Sequence, residues 1–445
     1  MDSSERRSPQ DSPARPPAPA SGRPGLSERM RRKIERWGTR AKAGAVKALV
    51  RTLYHLPILA RRDPRRRVVR FKESCRLVDH FPTQGAPRNW YLPVRPPEVI
   101  QRSRSIGLDS DHEAQFHRAS ARFQSGLSFT LPEVFLASVE RAAIYSDTCI
   151  VTSPTEHYFF ESALSLDAVL EKSGIYERFS HPPARPMEGE YCLLSSPWCA
   201  NSYYHWMIDA LPRLSTLEKF AELDHVPLLV PHPLRRFQRE SLACAGVDAT
   251  RLVGLPPGRW RTDRLFFPEL LGPTGNPSPH AIDWLRQRFA RFMSPERPGR
   301  RLYVTRRDTR RTVTNEAEIA DYLRNEGFEV ICAGDLSLAE QIKVFSEAAV
   351  VVAPHGAALT NMTFAPAEAT VIEFFGDNYI NGCFWALANI RRQKHAFIIG
   401  RTRTLDYSVP LEEVKTLVGR LCSTGALVRL RALTVATLYI DRDSG

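Results

Sequence analysis

Two polar residues in the segment "SYYHWMIDALPRL", residues 202–214, have types and a spacing that could do chemistry. His205 and Asp209 stand four residues apart, so on a helix their side chains share a face and can meet. A histidine held by a carboxylate is suited to act as a general base near neutral pH. The alternative is a His–Asp pair that only stabilises the helix, and the residue types alone leave both interpretations open.

A second segment, residues 349–376, runs from an apolar strand into Pro354-His355-Gly356 and then into a small-residue helix start. Backbone N–H groups and the positive dipole end after such a turn can bind an anion such as a diphosphate. We therefore predict an anion site at His355, Gly356 and Ala357. Glu373 lies in the next apolar strand, where a ribose diol could supply its carboxylate with two donors. The alternatives are a structural histidine and a glutamate that reaches solvent.

A third segment, residues 303–323, combines a strand end with several arginines. Arg306 ends the predicted strand, and Arg310 and Arg311 precede a helix start at Asn315-Glu316. Guanidinium groups at the carboxyl end of a strand match phosphate oxygens bidentately. The alternative is a solvated basic loop in which Thr314 or Asn315 caps the helix.

Other sequence signals argue against several classes of site. Asp109-Ser110-Asp111 has the DxD pattern of some metal-binding sugar transferases, but no apolar strand leads into it, so we interpret it as incidental. No P-loop, GxGxxG or HExxH motif occurs, which removes the main signatures of P-loop kinases, ordinary dinucleotide oxidoreductases and zincins. The eight cysteines are scattered, which favours a reducing, cytosolic setting over a disulfide framework or a structural zinc site.

The elements that must position these residues alternate between strands and helices from residue 186 onward, which predicts an α/β fold. In the 202–214 segment, an apolar stripe predicts a helix with one buried face, capped by Asn201 or Ser202 and weakened at Pro212. The stripe comprises Tyr203, Trp206, Met207, Ala210, Leu211 and Leu214. Residues 272–280 are predicted to be a linker. Further strands are predicted at 301–305, 329–333, 350–353 and 370–375, with helices at 315–326 and 337–348.

The basic charge of the chain is confined to its first 70 residues. The formal net charge is +13, and residues 1–70 carry 19 Lys/Arg and 6 Asp/Glu, so the rest of the chain is balanced. Residues 1–26 are predicted to be disordered, and residues 27–60 have the pattern of a basic amphipathic helix. We predict contact of residues 27–70 with an anionic membrane surface, the alternative being a helix packed on the body. A nucleic-acid partner is not expected, because the body is neutral.

Taken together, these segments resemble glycosyltransferase family 61. The resemblance covers residues 185–400 and rests on motifs in matching order: "NSYYHWMIDALPRL", "TRRDTRRTVTNE", "GDLSLAEQ", "PHGAALTNMTFAP" and "VIEFF". It implies a GT-B-like α/β fold with two facing Rossmann-like domains, an inverting mechanism, and a nucleotide-sugar donor held mainly by the C-terminal domain. No cofactor is implied, and a divalent metal is not expected to be required.

The resemblance also assigns roles to residues. It places His205 and Asp209 on the acceptor side, with either side chain a candidate base. It assigns the donor to Arg306, Arg311, Asn315, Glu316, His355, Gly356, Ala357, Asn361 and Glu373. The arginines and the Gly turn would hold the diphosphate, and Glu373 the ribose or base.

The expected organisation has four parts: an arm (1–70), an acceptor-side α/β domain (71–275), a nucleotide-sugar domain (281–425) and a tail (426–445). The arm and the tail have no recognised counterpart in the family. The implied activity is transfer of a sugar to a saccharide or lipid-linked acceptor in cell-surface polysaccharide biosynthesis. A cytoplasmic enzyme, peripheral at the inner face of the membrane, is expected. The alternative is a catalytically inactive nucleotide-sugar or polysaccharide-binding protein of the same fold.

Overall fold

A computed structural model of the chain describes residues 67–82, 87–121, 123–124, 126–163, 181–296, 298–307 and 311–422. By their contacts, all of these residues belong to one compact unit. The predicted disordered and amphipathic parts of the arm, residues 1–60, and the tail, residues 426–445, lie outside the described residues. The predictions of membrane contact and of four separate parts therefore stay predictions.

The fold is built mainly on β-strands. Those among the described residues are β1 (Val68–Val69), β2 (Arg76–Leu77), β3 (Trp90–Arg95), β4 (Glu98–Gln101), β5 (Ser128–Leu131), β6 (Val134–Glu140), β7 (Ala143–Tyr145), β8 (Val151–Thr152), β9 (Tyr158–Phe159), β10 (Arg185–Leu193), β11 (Leu228–Pro231), β12 (Leu252–Leu255), β13 (Arg259–Pro268), β14 (Arg300–Val304), β15 (Glu329–Ile331), β16 (Ala348–Pro354), β17 (Thr370–Gly376), β18 (Lys394–Arg403) and β19 (Asp406–Ser408).

Helices of eight or more residues connect or cover these strands. Within the described residues they are α1 (Ser110–Ser120), α2 (Arg236–Cys244), α3 (Pro279–Phe289), α4 (Glu316–Asn325), α5 (Leu338–Ser346), α6 (Cys383–Ile390) and α7 (Leu411–Cys422). Single α-turns occur at Phe71–Ser74 and Leu214–Leu217. No described helix has the length and apolar character that crossing a membrane would require.

The strands form a mixed sheet, a mostly parallel sheet and a hairpin. The eleven-stranded mixed sheet runs from β1 to β13 and omits β4 and β5, which pair with each other. Its strands β13, β10, β11 and β12 are neighbours in that order and parallel. The 202–214 segment follows β10, so it starts at the carboxyl end of a parallel strand.

The second sheet has the order β15-β14-β16-β17-β18-β19, and all its pairs are parallel except β18 with β19. Its strands β16 and β17 are buried along almost their whole length, as expected for a parallel sheet covered on both faces. The chain leaves β14 toward β15 on one side and leaves β16 toward β17 on the other. The crevice between the ends of β14 and β16 is therefore a topological switch point, where α/β sheets bind ligands.

The strands and helices predicted between residues 301 and 375 are confirmed, and their ends differ from the predicted ones by no more than two residues. The "DLSLAEQ" segment shows which local contacts start one of these elements, helix α5. Ser337 Oγ accepts from the N–H of Glu340, and the Glu340 carboxylate accepts from the N–H of Ser337, a capping box that starts α5. The chain is thus a mixed α/β protein whose second sheet is compatible with a Rossmann-like fold.

The 202–214 segment is helical but does not form the regular amphipathic α-helix that its pattern predicts. His205–Ala210 is a π-helical turn, followed by a 3₁₀ turn at Leu211–Arg213. Pro212 has no N–H to donate, which is consistent with the irregular hydrogen bonding at this point. The apolar stripe is buried, with Tyr203 half-buried, but Asp209 is buried too, so the segment packs on nearly all sides. Ser202 caps it by accepting from the N–H of His205, as predicted.

Candidate active site

The structure brings His205 and Asp209 together, as the spacing predicts. His205 Nδ1 lies 2.7 Å from Asp209 Oδ2. The Asp209 side chain is 1% exposed, whereas the His205 side chain is 23% exposed and lines a cavity. Asp209 therefore lies behind His205, and contact with any bound molecule is made through the histidine.

Thr274 is a third member of this group that sequence reasoning missed. Its hydroxyl donates to Asp209 Oδ2 over 2.9 Å and lies 3.1 Å from His205 Nδ1. It belongs to the 272–280 segment, which the sequence predicts only as a linker. Pro273, Thr274, Gly275 and Asn276 all line the cavity, so this connection is part of the site. No pattern around Thr274 could have indicated this, because its partners lie about 70 residues away in sequence.

On the opposite side, Arg306 follows β14 and His355 follows β16, so both lie at the switch point of the second sheet. The Arg306 guanidinium donates to the carbonyl oxygen of His355. Burial lowers the pKa of His355 well below its usual range, and the nearby charges of Arg306 and Arg311 lower it further. The Arg311 guanidinium lies 4.4 Å from the centre of the Tyr379 ring. The charges of two arginines thus act near an uncharged histidine, which suits an anion.

The helix after Gly356 differs from the sequence prediction. Ala357–Thr363 is a 3₁₀ helix of seven residues, and Ala357 is exposed. So short a helix has a small dipole, since the dipole sums over aligned peptide units. The positive character of this site therefore comes mainly from Arg306 and Arg311.

Glu373 has other partners than the ribose diol that the sequence suggested. It is 0% exposed, its Oε1 lies 2.5 Å from His355 Nδ1, and its Oε2 lies 2.9 Å from His395 Nε2. A carboxyl group enclosed in this way cannot reach a bound ribose without a rearrangement of the core. Glu373 does not line the cavity itself; it is hydrogen-bonded to His355, which does.

Two further predicted donor residues, Asn315 and Glu316, make contacts within the protein. Asn315 bridges to the backbone of Val409 with both its amide nitrogen and its amide oxygen. Glu316 accepts from the Tyr303 hydroxyl over 3.0 Å, and more weakly, over 3.4 Å, from the N–H of Arg306. These contacts support the alternative that this segment starts α4, and they give Glu316 a role in placing Arg306.

Asn361 is fully buried and connects the two sides of the site. Its Oδ1 accepts from the Tyr203 hydroxyl over 2.7 Å, and its Nδ2 donates to Gln341 over 2.8 Å. Tyr203 belongs to the 202–214 segment, so Asn361 ties that segment to the turn after β16. Direct donor contact by Asn361 is not available in this arrangement.

Two cavities meet at the Gly turn. The larger, of about 700 Å³, is lined by His205 and Thr274 on one side and by His355, Gly356 and Ala357 on the other. Aromatic side chains also line it: Phe123, Trp198, Tyr204, Tyr379 and Phe384. The smaller, of about 360 Å³, is lined by Thr305, Arg306, Gly334 and Leu336 among others, and it shares Gly356 and Ala357 with the larger.

Trp198 is the second residue missed from the sequence. Its ring centre lies 5.2 Å from that of His205, and its φ of +64° is unusual for a bulky residue. Such backbone conformations persist only where the surroundings enforce them, and they cluster at binding and active sites.

The DxD pattern has a structural explanation. Asp109 caps α1 by accepting from the N–H groups of Asp111 and His112. Among the described residues, no group of three or more His, Cys, Asp or Glu side chains is arranged to hold a metal ion.

Replacing Gly356 by alanine should weaken anion binding without unfolding the protein. The new Cβ would lie 2.9 Å from Arg306 Nε and 3.0 Å from its Cδ and Cζ, so the guanidinium must move. The backbone at Gly356 is extended, with φ −178°, a conformation open to any residue. We expect about tenfold weaker binding of inorganic pyrophosphate in calorimetric titration, the size of a lost hydrogen bond to a charged group. Gly299→Ala is the control, because its Cβ meets nothing within 4 Å; equal affinities in both variants would contradict the role of Arg306.

Comparison with known proteins gives one match to a family. Residues 203–372 match the family described as Glycosyltransferase 61. That range begins in the 202–214 segment, includes Arg306 and His355, and ends one residue before Glu373. No curated protein matches the chain.

Proposed function

The chain belongs to glycosyltransferase family 61 over residues 203–372, and on that premise we propose that it is an inverting enzyme. It would transfer a sugar from a nucleotide-sugar donor to a saccharide or lipid-linked acceptor, in the assembly of a cell-surface polysaccharide. The observation that carries this proposal is the larger cavity, which is lined both by His205, after strand β10 of the first sheet, and by His355, after strand β16 of the second. His205 is hydrogen-bonded to Asp209, and His355 is close enough to Arg306 and Arg311 for their charges to lower its pKa.

In this proposal the donor spans both cavities. Its diphosphate would lie at Arg306 and Gly356, which border the smaller cavity and stand at the switch point between β14 and β16. Its nucleoside would occupy the smaller cavity, and its sugar would extend into the larger one. Gly356 and Ala357 line both cavities, so the two cavities adjoin there, which supports a donor that extends from one into the other.

His205 would be the base that activates the acceptor. An inverting transfer requires the acceptor hydroxyl to lose its proton as its oxygen attacks the anomeric carbon. A carboxylate hydrogen-bonded to Nδ1 keeps the proton there and leaves the lone pair on Nε2 to accept another. Burial of Asp209 behind the ring favours His205, and not Asp209, as the group that contacts the acceptor.

Arg306 and Arg311 would stabilise the departing nucleoside diphosphate. Negative charge grows on the diphosphate as the glycosidic bond breaks, and fixed cations aimed at that charge lower the barrier. We propose that these arginines serve in place of a divalent metal ion. A GT-B arrangement of two facing domains, and a location at the cytoplasmic face of a membrane, remain parts of the same proposal.

The test is a donor screen on the full chain. We expect one class of nucleoside diphosphate to raise the melting temperature, since a ligand at 100 times its Kd stabilises by about 2.7 kcal/mol. The matching nucleotide-sugar should release its nucleotide, faster with a saccharide acceptor and equally well in EDTA. Magnetic resonance of the product should show an inverted anomeric centre. Binding without any release of nucleotide would favour the inactive binding protein instead.

A further inference from the structure

A chain of four hydrogen-bonded side chains runs from the larger cavity into the core. It begins at His355, passes through Glu373 and His395, and ends at Ser105. The three contacts are 2.5 Å from His355 Nδ1 to Glu373 Oε1, 2.9 Å from Glu373 Oε2 to His395 Nε2, and 2.6 Å from His395 Nδ1 to Ser105 Oγ. Glu373 and Ser105 are at most 1% exposed, and His395 is 4% exposed.

The positions of the protons along this chain decide whether Nε2 of His355 presents an N–H or a lone pair to the cavity. Each of the three contacts needs one proton, and a neutral histidine carries one proton on its two nitrogens. In the first arrangement, Ser105 donates to His395 Nδ1, His395 Nε2 donates to Glu373, and Glu373 is a carboxylic acid that donates to His355 Nδ1. His355 then carries its proton on Nε2 and presents an N–H to the cavity. If His355 donates from Nδ1 instead, its Nε2 presents a lone pair.

The surroundings of His355 favour the first arrangement. His355 lines the larger cavity next to Gly356, which also borders the smaller cavity that Arg306 lines, and the Arg306 guanidinium contacts the His355 carbonyl. A lone pair at this junction would repel phosphate oxygens bound by Arg306. A full negative charge on Glu373 would also be costly at 0% exposure. Burial raises the pKa of Glu373 well above its usual range, which favours the carboxylic acid over the carboxylate. Burial also lowers the pKa of His395 to about 3, so this ring is uncharged near neutrality.

We propose that Glu373 acts as a buried carboxylic acid which, oriented by His395 and Ser105, keeps His355 as a neutral hydrogen-bond donor toward the diphosphate. This inference rests on the proposed function for the identity of the anion. Glu373 and His395 are positioning residues, since they act on the ligand through His355. The two histidines of the cavity then have opposite tasks, because His205 accepts a proton and His355 donates a hydrogen bond.

Substitution of Glu373 tests the proposal through binding of inorganic pyrophosphate to the full chain. In Glu373→Gln, the amide can donate to His355 and accept from His395, so we expect affinity within about threefold of the parent protein. Glu373→Met has similar length but no polar group, and we expect affinity at least about tenfold weaker, the size of a hydrogen bond to a charged group. A tenfold loss in Glu373→Gln, or parental affinity in Glu373→Met, would overturn the proposal.

A second measurement does not depend on substitution at Glu373. Nitrogen-15 magnetic resonance of histidine-labelled protein distinguishes the two tautomers, and the spectrum of His355→Gln identifies the signal of His355. We expect a neutral ring with the proton on Nε2 in the pyrophosphate complex. A proton on Nδ1, or a doubly protonated ring, would overturn the inference. If the parent protein bound no pyrophosphate, the proposed donor site would fail, and the tautomer in the free protein would still decide the inference.

Discussion

Replacing His205 by alanine is expected to reduce sugar transfer by about 10²–10⁴-fold, the contribution typical of a general base. Binding of the nucleoside diphosphate should be unchanged, because Arg306 lines the smaller cavity, which His205 does not line. Asp209→Asn should cause a loss of similar size, since the amide no longer fixes the proton on Nδ1 of His205. Single-turnover rates together with nucleotide titrations separate the two effects.

The chain contains a matched control for this experiment. His112 Nδ1 lies 2.8 Å from Asp109 Oδ1, at a spacing of three residues, in the partly exposed first turn of α1 that Asp109 caps. His112→Ala removes a His–Asp pair that does not line either cavity, so transfer should continue at the parental rate. If His205→Ala and His112→Ala both turned over like the parent protein, the base would have to be sought elsewhere.

Replacing Arg306 by alanine is expected to weaken nucleoside diphosphate binding by about 10–100-fold, the equivalent of one or two hydrogen bonds to a charged group. Two effects combine here. The guanidinium leaves the anion site, and the carbonyl of His355 loses its donor. Arg306→Lys should recover only part of the affinity, because an ammonium group cannot bind phosphate bidentately. Calorimetric titration measures both variants.

The neighbouring arginine provides the control. Arg307 is exposed and pairs with Asp335 on the surface. Arg307→Ala changes the net charge of the protein by the same amount, so a purely long-range attraction would weaken binding equally in both variants. Equal losses would therefore contradict a specific contact at Arg306, whereas a loss confined to Arg306→Ala supports it.

Much of the second half of the fold could be predicted from the sequence because its signals are local. The strand that became β16 is a continuous apolar run, β17 is apolar from Val371 to Phe375 except at Glu373, and α5 carries its own capping box in "SLAE". The spacing of His205 and Asp209 also predicted their contact, since it holds in an α-helix and in the π-turn that the structure has instead.

The sequence could not predict which polar residues reach the cavity. Glu373 and Asn361 stand in motifs that suggest a ligand, yet their partners are His355, His395, Tyr203 and Gln341. The reverse is true of Thr274, which carries no motif and contacts both members of the His205 pair. Burial and pairing of a polar group depend on segments distant in sequence, so no local pattern reports them.

By itself, the sequence determined the family resemblance, the α/β class and the three segments whose residues could do chemistry. Those features follow from residue types and periods within single segments. Only the tertiary structure decided that His205 and the His355-Gly356-Ala357 turn line one cavity, that Asp209 lies behind His205, and that Glu373 contacts His355 instead of a ligand. The reason is physical: a side chain's accessibility and its proton partners are set by what packs against it, and here those neighbours come from both sheets and from the segment between them.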